Sequence, residues 1–282
     1  MRLVFWNCGV APTMGKRSEE RATAVIGVVR ELVVLRPAII VLCEADAKLV
    51  DELKAALDLE THAYRERILN EPQGRSRWDL VVLFDTKQVT ARERSPILAF
   101  NGGRELRASY PLEIKRLEAT LAFNLFLSHW PSRRYHSEAK NRQYCAQALW
   151  GAIERLLQRE ERVVVLGDFN EEPHDVVLRD DLRASRDPKI VEGYPLRRLY
   201  NPSWWLASPV LGAPWQAFGT NYYKQSGLET QWHAVDQALT CHQWLDREAA
   251  WAPELRALRQ VVSSMNGRSA FDHVPIELRL MR

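Results

Sequence analysis

The sequence predicts an α/β fold in which two packed sheets, of mixed and antiparallel strands, are flanked by helices as a four-layer sandwich. Short β-rich apolar runs alternate with amphipathic segments along the 282 residues. Several strand-like runs between residues 80 and 127 follow one another without an intervening helix, which indicates antiparallel pairing. The chain is 46% hydrophobic and 27% charged, so it can bury a substantial core.

The apolar runs and the amphipathic segments give the predicted elements in order. Seven runs are typical of strands: Leu3 to Trp6, Ile39 to Cys43, Leu80 to Phe84, Thr120 to Ser128, Val163 to Gly167, His233 to Thr240 and Val274 to Leu280. Three segments space apolar residues three and four apart, as surface helices do: Ser18 to Leu35, Ala47 to Leu57 and Glu138 to Arg159. We expect residues 1–282 to form a single domain.

The charge balance excludes a protein that binds nucleic acid by net charge alone. Lys and Arg number 39 against 36 Asp and Glu, so a polyanion has to be met by a local basic cluster. The four cysteines are widely separated and form no CxxC pair, which predicts reduced thiols in the core. No segment has the pattern of a signal peptide or a membrane span, so we expect a cytoplasmic protein that does not bind membranes.

Polar residues stand beside the ends of predicted strands, where a rigid sheet can bring them together. Asn7, Glu44, His129, Asp168 and Asn170 come at the ends of apolar runs, Asp236 lies within a later strand-like run, and Asp272 and His273 immediately precede the last run. Carboxylate and amide oxygens without thiolates are typical ligands of Mg²⁺ or Mn²⁺, and the histidines add proton-transfer groups. Together they predict metal-assisted hydrolysis of a phosphoester. The alternative for each residue is a turn former or helix cap, and Asp46 is assigned to a cap.

Six motifs, in order along nearly the whole chain, resemble those of the endonuclease/exonuclease/phosphatase superfamily. They are Trp6-Asn7, Leu42-Cys43-Glu44, Ser128-His129-Trp130-Pro131-Ser132-Arg133, Gly167-Asp168-Phe169-Asn170, Val235-Asp236-Gln237 and Phe271-Asp272-His273. The third motif is similar to the HWPSR sequence of a bacterial branch. The resemblance implies the DNase I-like fold, with the active site at one edge of the two sheets.

The resemblance also implies a role for each motif residue. Glu44 would be the principal ligand of Mg²⁺ or Mn²⁺, helped by Asn7 and Asp272. Many members of the superfamily carry a second Asn or Asp two positions after the first Asn, where this chain has Gly9.

The remaining motif residues would carry the catalytic steps. By the same resemblance, Asp168 and Asn170 would position the attacking water and a phosphate oxygen. His273, paired with Asp236, would polarise the phosphate, and His129 would contact the phosphate or the leaving group. A carboxylate partner fixes the tautomer of a histidine and stabilises its charged form.

Arginines near the motifs are candidate substrate contacts, because the guanidinium fork suits phosphate oxygens. Arg133 and Arg134 follow His129 closely, and Arg77 precedes the Leu80 strand. Trp204 and Trp205 lie in a Trp-rich loop or insertion at about 194–232. These tryptophans would stack on unpaired bases, pack the loop onto the sandwich, or form a partner interface.

Three functions therefore stay open. The favoured one is a nuclease that cleaves DNA or RNA by in-line attack of water, so that a nucleic acid is the expected partner. The second is a phosphatase or phosphodiesterase that acts on a small phosphorylated metabolite or a lipid headgroup. The third is a catalytically silent binding module.

Overall fold

The computed structural model describes residues 1–12, 16–69, 72–73, 76–77, 79–133, 138–207, 219–224, 230–246, 252–258 and 271–280, with backbone alone for 72–73 and 76–77. The strands in these ranges are β1 (Arg2–Asn7), β2 (Ile39–Cys43), β3 (Tyr64–Leu69), β4 (Pro72–Gln73), β5 (Ser76–Arg77), β6 (Leu80–Asp85), β7 (Val89–Glu93), β8 (Ile97–Asn101), β9 (Arg104–Arg116), β10 (Ala122–His129), β11 (Val163–Asp168), β12 (Ala184–Ser185), β13 (Leu199–Tyr200), β14 (Asn221–Tyr222), β15 (Trp232–His233), β16 (Asp236–Thr240), β17 (Glu254–Ala257) and β18 (Ile276–Arg279). The α-helices are α1 (Glu19–Val34), α2 (Ala47–Leu57), α3 (Ala139–Leu157) and α4 (Pro188–Gly193).

Two large mixed sheets form the centre of the molecule, as the sequence predicted. The first has the order β17-β18-β1-β2-β6-β3, and the second has the order β12-β13-β16-β11-β10-β9-β7, with β8 also paired to β9. Each sheet contains one central parallel pair, β1 with β2 and β10 with β11. The remaining neighbours of those four strands run antiparallel.

Alternating side chains of β1 show how the layers stack. Leu3 and Phe5 belong to the core cluster that also contains the buried side chains of the second sheet and of α3. Val4 and Trp6 point the other way, into a cluster with the apolar faces of α1 and α2. Because successive residues of a strand face opposite sides of a sheet, β1 is covered on both faces. The order of layers is helices, sheet, sheet and helix.

Strand directions place many polar termini at one edge. Strands β1, β2, β10 and β11 end there, while β6, β16 and β18 start there because each is antiparallel to one of them. Strand β1 also contacts β11 and β16 of the other sheet. The two sheets therefore meet where their polar termini lie.

The helices begin as their sequences predict. Ser18 caps α1 by accepting a hydrogen bond from the Arg21 N–H, and Asp46 caps α2 by accepting one from the Leu49 N–H at 2.9 Å. The cap assigned to Asp46 is thus confirmed. The four cysteines are buried and free, also as predicted. Among the described helices, none is long and apolar enough to cross a membrane.

Two strands that the sequence pattern did not reveal lie at or near sheet margins. Strand β3 is at the edge of the first sheet and β7 at the edge of the second, and both carry several charged residues. Charged side chains are tolerated at sheet edges because one side of the strand faces solvent. Such strands lack the continuous apolar run from which the central strands were predicted.

Candidate active site

Asn7 and Asp168 join the two sheets at the shared edge. Asn7 ends β1 and Asp168 ends β11, and Asn7 Nδ2 donates a hydrogen bond of 3.1 Å to Asp168 Oδ2. Both side chains are buried, at 4% and 2% exposure. Asn7 Oδ1 accepts from the Gly9 N–H at 3.2 Å, so the amide is fixed at both ends. This contact sets the distance between the polar termini of the sheets.

Two of the predicted site residues have left-handed backbone conformations. Glu44 has a φ of 54° and Asn170 a φ of 51°. Non-glycine residues seldom adopt this region, and such strain is concentrated at functional sites. Glu44 is held by its carbonyl oxygen, which accepts from the Ala11 N–H at 2.7 Å. Asn170 is held by its N–H, which donates to Asp168 Oδ1 at 3.0 Å.

Gly167 explains why the motif before Asp168 starts with glycine. A Cβ on Gly167 would lie 2.4 Å from the Ser128 carbonyl oxygen, which is too close for any side chain. Strands β10 and β11 therefore approach closely beside the site. The Trp130 N–H then donates to the Asp168 carbonyl at 2.9 Å, and Asn170 Nδ2 donates to the Trp130 carbonyl at 3.0 Å.

His273 and Asp236 form a buried histidine–carboxylate pair. His273 Nδ1 donates to Asp236 Oδ2 at 2.8 Å, and its Nε2 lies 3.9 Å from Asp168 Oδ2. Burial lowers the pKa of His273, but Asp236, Asp168 and Asp272 outweigh that effect and raise the pKa to about 10. The imidazole is thus a cation that points its Nε2 toward Asp168.

His129 forms a second pair of the same kind with Asp79. His129 Nδ1 donates to Asp79 Oδ2 at 2.8 Å, and its Nε2 lies 3.8 Å from Glu44 Oε1. Burial lowers the pKa of His129, whereas Asp79 and the more distant carboxylates raise it, to about 9 overall. Two charged imidazoles, each oriented by its own carboxylate, therefore face the region between Glu44 and Asp168.

Asp79 was absent from the sequence prediction, which considered chiefly polar residues that follow strands. It precedes β6, and β6 runs antiparallel to β2 with Leu80 opposite Cys43. The start of β6 consequently lies beside the end of β2, where Glu44 stands. A polar residue ahead of an apolar strand was the available signal, but its use required knowing the strand direction.

Asp168 has the electrostatics of a proton acceptor. Burial and the nearby Asp236 raise its pKa to about 6, against the opposing effect of the two imidazoles and the Asn7 amide. A carboxyl with this pKa is ionised at neutral pH and still basic enough to accept a proton from water.

The donors at the predicted metal position fit a hard divalent cation. Glu44 makes no hydrogen bond through its carboxylate to the described residues, its one close charged neighbour being His129, and its side chain is 21% exposed. Asp272 has an ion pair with Arg21 at 2.9 Å through Oδ1. Burial raises the pKa of Asp272, but His273 and Arg21 outweigh it and hold the pKa below its usual range. Carboxylate and amide oxygens of this kind suit Mg²⁺ or Mn²⁺.

Two groups of His, Cys and Asp donor atoms lie within 4.8 Å of one another in the described chain: Asp168 with Asp236 and His273, and Cys43 with Asp79 and His129. Each group contains one of the histidine–carboxylate hydrogen bonds. In both groups the histidine Nδ1 is committed to the carboxylate, so the histidine would hold a metal ion only through its Nε2.

The predicted arginine contacts have different surroundings. Arg133 is 40% exposed and forms an ion pair with Asp175 at 3.1 Å. Arg134 and the side chain of Arg77 lie outside the described residues. Arg142, from the following helix, is buried and bonds Glu171 Oε1 at 2.5 Å and the carbonyls of Pro131 and Ser132 at 3.2 Å. It fixes the loop after His129.

A second connection fixes the loop after Asn170. His233 Nδ1 donates to Glu172 Oε1 at 2.8 Å, and the Ala234 N–H donates to Glu172 Oε2 at 3.1 Å. This contact links the start of β16, and therefore Asp236, to the loop that carries Asp168 and Asn170. Glu172 was not singled out from the sequence, because a glutamate in a loop carries no distinctive pattern.

Part of the Trp-rich segment is described, namely residues 194–207, 219–224 and 230–232. Trp204 lies beneath the Arg186 guanidinium at 4.9 Å and near the His174 ring at 6.0 Å between centroids. Trp205 is 73% exposed. One tryptophan is thus stacked on protein groups, and its neighbour offers its ring to solvent.

Comparison with known proteins identifies the family. The sequence profile described as the Endonuclease/Exonuclease/phosphatase family matches residues 4–257, which is most of the chain. The chain belongs to this family. Its members are phosphoesterases that generally depend on a divalent metal. The sequence matches no curated protein.

Solved structures of the family share the fold at low sequence identity. The mannosyl-6-phosphatase of Bacteroides thetaiotaomicron VPI-5482 superposes with a TM-score of 0.66 at 14% identity, over 100% of both chains. The human Nocturnin catalytic domain with bound sulfate gives 0.64 at 14% identity, over 99% of this chain and 93% of the other. D. rerio TDP2 in complex with a single-stranded DNA product gives 0.59 at 14% identity, over 99% and 97%. These likenesses confirm the DNase I-like sandwich.

Proposed function

We propose that the protein is a divalent-metal-dependent phosphodiesterase, and that it acts as a nuclease. The observation that carries the proposal is the pair of histidine–carboxylate dyads, His129 with Asp79 and His273 with Asp236, on either side of a carboxylate with raised pKa. In-line hydrolysis of a phosphodiester needs a base for water, positive charge on the phosphoryl oxygens and an acid for the leaving group. The site holds a group for each need.

Asp168 is the proton acceptor in this mechanism. It takes a proton from the attacking water, while the Asn7 amide holds its carboxylate in place. His273, charged and oriented by Asp236, donates through Nε2 to a non-bridging phosphate oxygen. His129 ends β10, the strand beside β11, and its Nε2 protonates the departing oxygen. Asn170 positions the water or a phosphate oxygen.

Glu44, with Asn7 and Asp272, would hold Mg²⁺ or Mn²⁺. The ion supplies charge neutralisation at the phosphoryl oxygens when it is bound. Of these residues, Glu44 has the least committed carboxylate, so it is the expected principal ligand.

The surroundings of the site favour a nucleic acid over a small phosphoester. Arg133 is exposed beside the loop that follows His129. The exposed ring of Trp205 offers a stacking surface, and Trp204 packs on His174, four positions after Asn170. The similar structure of D. rerio TDP2 holds a single-stranded DNA product. We therefore propose Arg133, Arg134, Arg77, Trp204 and Trp205 as substrate contacts.

A phosphatase acting on a small substrate is the second candidate, and the likeness to the mannosyl-6-phosphatase favours it. One assay separates the two. Single- and double-stranded DNA, RNA, sugar phosphates, inositol phosphates and bis(p-nitrophenyl) phosphate are incubated with Mg²⁺, Mn²⁺ or EDTA. The wild type is compared with Glu44→Gln, which keeps the shape of the side chain and removes its charge.

We expect cleavage of a nucleic acid that requires the metal and falls at least about 100-fold in Glu44→Gln. Hydrolysis confined to sugar or inositol phosphates would support the phosphatase. Absence of hydrolysis on all substrates would support the silent binding module.

A further inference from the structure

Arg21, in the first turn of α1, places its guanidinium beside the proposed metal ligands. Arg21 Nη1 donates to Asp272 Oδ1 over 2.9 Å, although 251 positions separate the two residues. The Arg21 side chain is 30% exposed and that of Asp272 is 42% exposed. Among the described residues, Asp272 is the side chain that this guanidinium bonds. The other donors of the guanidinium make no hydrogen bond to a side chain in the described ranges and would be able to contact a ligand.

Gly9 makes room for this guanidinium. A Cβ at position 9 would lie 2.2 Å from Arg21 Nη1 and 3.8 Å from Asp272 Oδ1. A side chain at position 9 would therefore require the Arg21 guanidinium, the end of a flexible side chain, to move. Gly9 has a φ of +61°, a conformation that Asn adopts more readily than other non-glycine residues. The Arg21 guanidinium thus occupies the space that a side chain at position 9 would enter, close to Asp272.

The backbone around Arg21 is well fixed. Arg17, one turn earlier, forms ion pairs with Asp46 at 3.1 Å and with Glu52 at 2.6 Å, so the start of α1 is tied to α2. Ser18 caps the helix at the Arg21 N–H. A side chain presented from such a support keeps a defined position, as recognition of a phosphate requires.

We propose that Arg21 is a resident cation of the active site, which binds a phosphate oxygen of the substrate and restricts the site to a single divalent ion. The inference rests on the proposed function. A guanidinium stays charged at every physiological pH and offers five donors that match phosphate oxygens. Its charge also opposes a second divalent ion beside the one that Glu44, Asn7 and Asp272 would hold, because like charges a few ångströms apart repel strongly when partly buried.

Binding of Mn²⁺ to the metal-free protein tests the restriction to one ion. Free Mn²⁺ is followed by electron paramagnetic resonance in the wild type, Arg21→Ala and the double variant Arg21→Ala with Gly9→Asn. We expect one ion per wild-type chain, about tenfold tighter binding in Arg21→Ala, and two ions in the double variant. Two ions in the wild type, unchanged affinity in Arg21→Ala, or one ion in the double variant would overturn the restriction.

Arg30→Ala is the matched control, since Arg30 is an exposed arginine on the same helix. It should bind Mn²⁺ as the wild type does. Thermal melting of each variant shows whether it is folded. If Arg30→Ala changed the Mn²⁺ affinity as much as Arg21→Ala does, the cause would be a general loss of positive charge. That result would overturn the proposal.

Binding of inorganic phosphate tests the proposed contact between Arg21 and a phosphate oxygen. Titration calorimetry with phosphate should show affinity at least about tenfold weaker in Arg21→Ala than in the wild type, partial recovery in Arg21→Lys, and no change in Arg30→Ala. Equal affinities in the wild type and Arg21→Ala would overturn this part. Both titrations measure binding and need no turnover. An absence of metal-dependent hydrolysis would therefore count against the proposed function alone, whereas the titrations test the role of Arg21.

Discussion

Asn7 and Asp168 stand 161 positions apart in the chain and are joined by a hydrogen bond of 3.1 Å that links the two sheets. The bond ties the end of β1, which lies beside the end of β2 and so beside Glu44, to the end of β11, which carries the proposed base. The same contact favours the ionised form of Asp168, opposing the effect of burial on its pKa. The proposed metal ligands and the proposed proton-transfer residues are thereby linked through one amide.

Asp168→Asn is expected to abolish hydrolysis without unfolding the protein. The substitution keeps the shape of the buried side chain but removes the carboxylate that we propose accepts a proton from water. The rate constant kcat should fall at least about 1,000-fold, within the range of a lost general base and a lost charge. Asp180→Asn is the matched control, because Asp180 is an exposed carboxylate paired only with Arg179 in the described chain. A kcat within threefold of the wild type in Asp168→Asn would exclude Asp168 as the base.

His129→Ala is expected to slow the hydrolysis of different substrates by different factors, which depend on whether the leaving group needs a proton. A nucleotide substrate, whose alkoxide leaving group needs a proton, should lose about 100- to 10,000-fold in kcat. Bis(p-nitrophenyl) phosphate should lose much less, because p-nitrophenolate departs without protonation. An equal loss on both substrates would indicate that His129 binds the phosphate instead. Asp79→Asn should show the same selectivity with a smaller loss, since Asp79 orients His129 at 2.8 Å.

The stability of the metal-free protein is expected to fall at alkaline pH. Pairing raises the pKa of His129 to about 9 and that of His273 to about 10, against an ordinary value of 6.5. A base with a raised pKa in the folded state stabilises that state fully below its unfolded pKa. This contribution is lost as the pH rises from about 6.5 to between 9 and 10.

Calorimetric melting in EDTA between pH 6 and pH 10 measures this loss. The Tm of the wild type should fall by several degrees across that window. Asp236→Asn removes the main partner of His273 and should lessen the fall, while Asp180→Asn should leave it unchanged. An identical pH slope in the wild type and Asp236→Asn would contradict the assignment of a charged His273.

Trp205→Ala is expected to weaken binding of single-stranded nucleic acid while leaving the fold intact. Trp205 is 73% exposed, so its removal opens no cavity in the core. Stacking of a base on an aromatic ring contributes about 1 to 3 kcal/mol, which predicts a loss of about 5- to 150-fold in affinity. Fluorescence anisotropy with a catalytically inactive Asp168→Asn background measures it. Unchanged affinity would leave packing or a protein interface as the role of the ring.

Trp204→Ala provides the comparison for Trp205→Ala. Trp204 packs against Arg186 and His174, so its loss should lower the Tm more than loss of Trp205. The two variants therefore separate stacking on a ligand from packing within the protein.

Most central strands were predicted from the sequence, but β9 was indicated only in part and the edge strands β3 and β7 were not predicted. Strand β2 and helix α2 have the predicted bounds, because a continuous apolar run and a capped amphipathic run are local signals. Strands β3 and β7 escaped detection because charged residues at a sheet edge hide the strand pattern. The motif residues Asn7, Glu44 and Asp168 were selected by a local rule as well, namely a polar group after an apolar run.

The sequence by itself determined the α/β class, the family resemblance and the residues of the six motifs, since each depends on neighbours within a few positions. Only the tertiary structure decided the partners of those residues: Asp79 beside His129, Arg21 on Asp272, and Asn7 bonded to Asp168. These pairs are separated by 50, 251 and 161 positions. Their meeting follows from strand direction and from the packing of one sheet on the other, which no local pattern encodes.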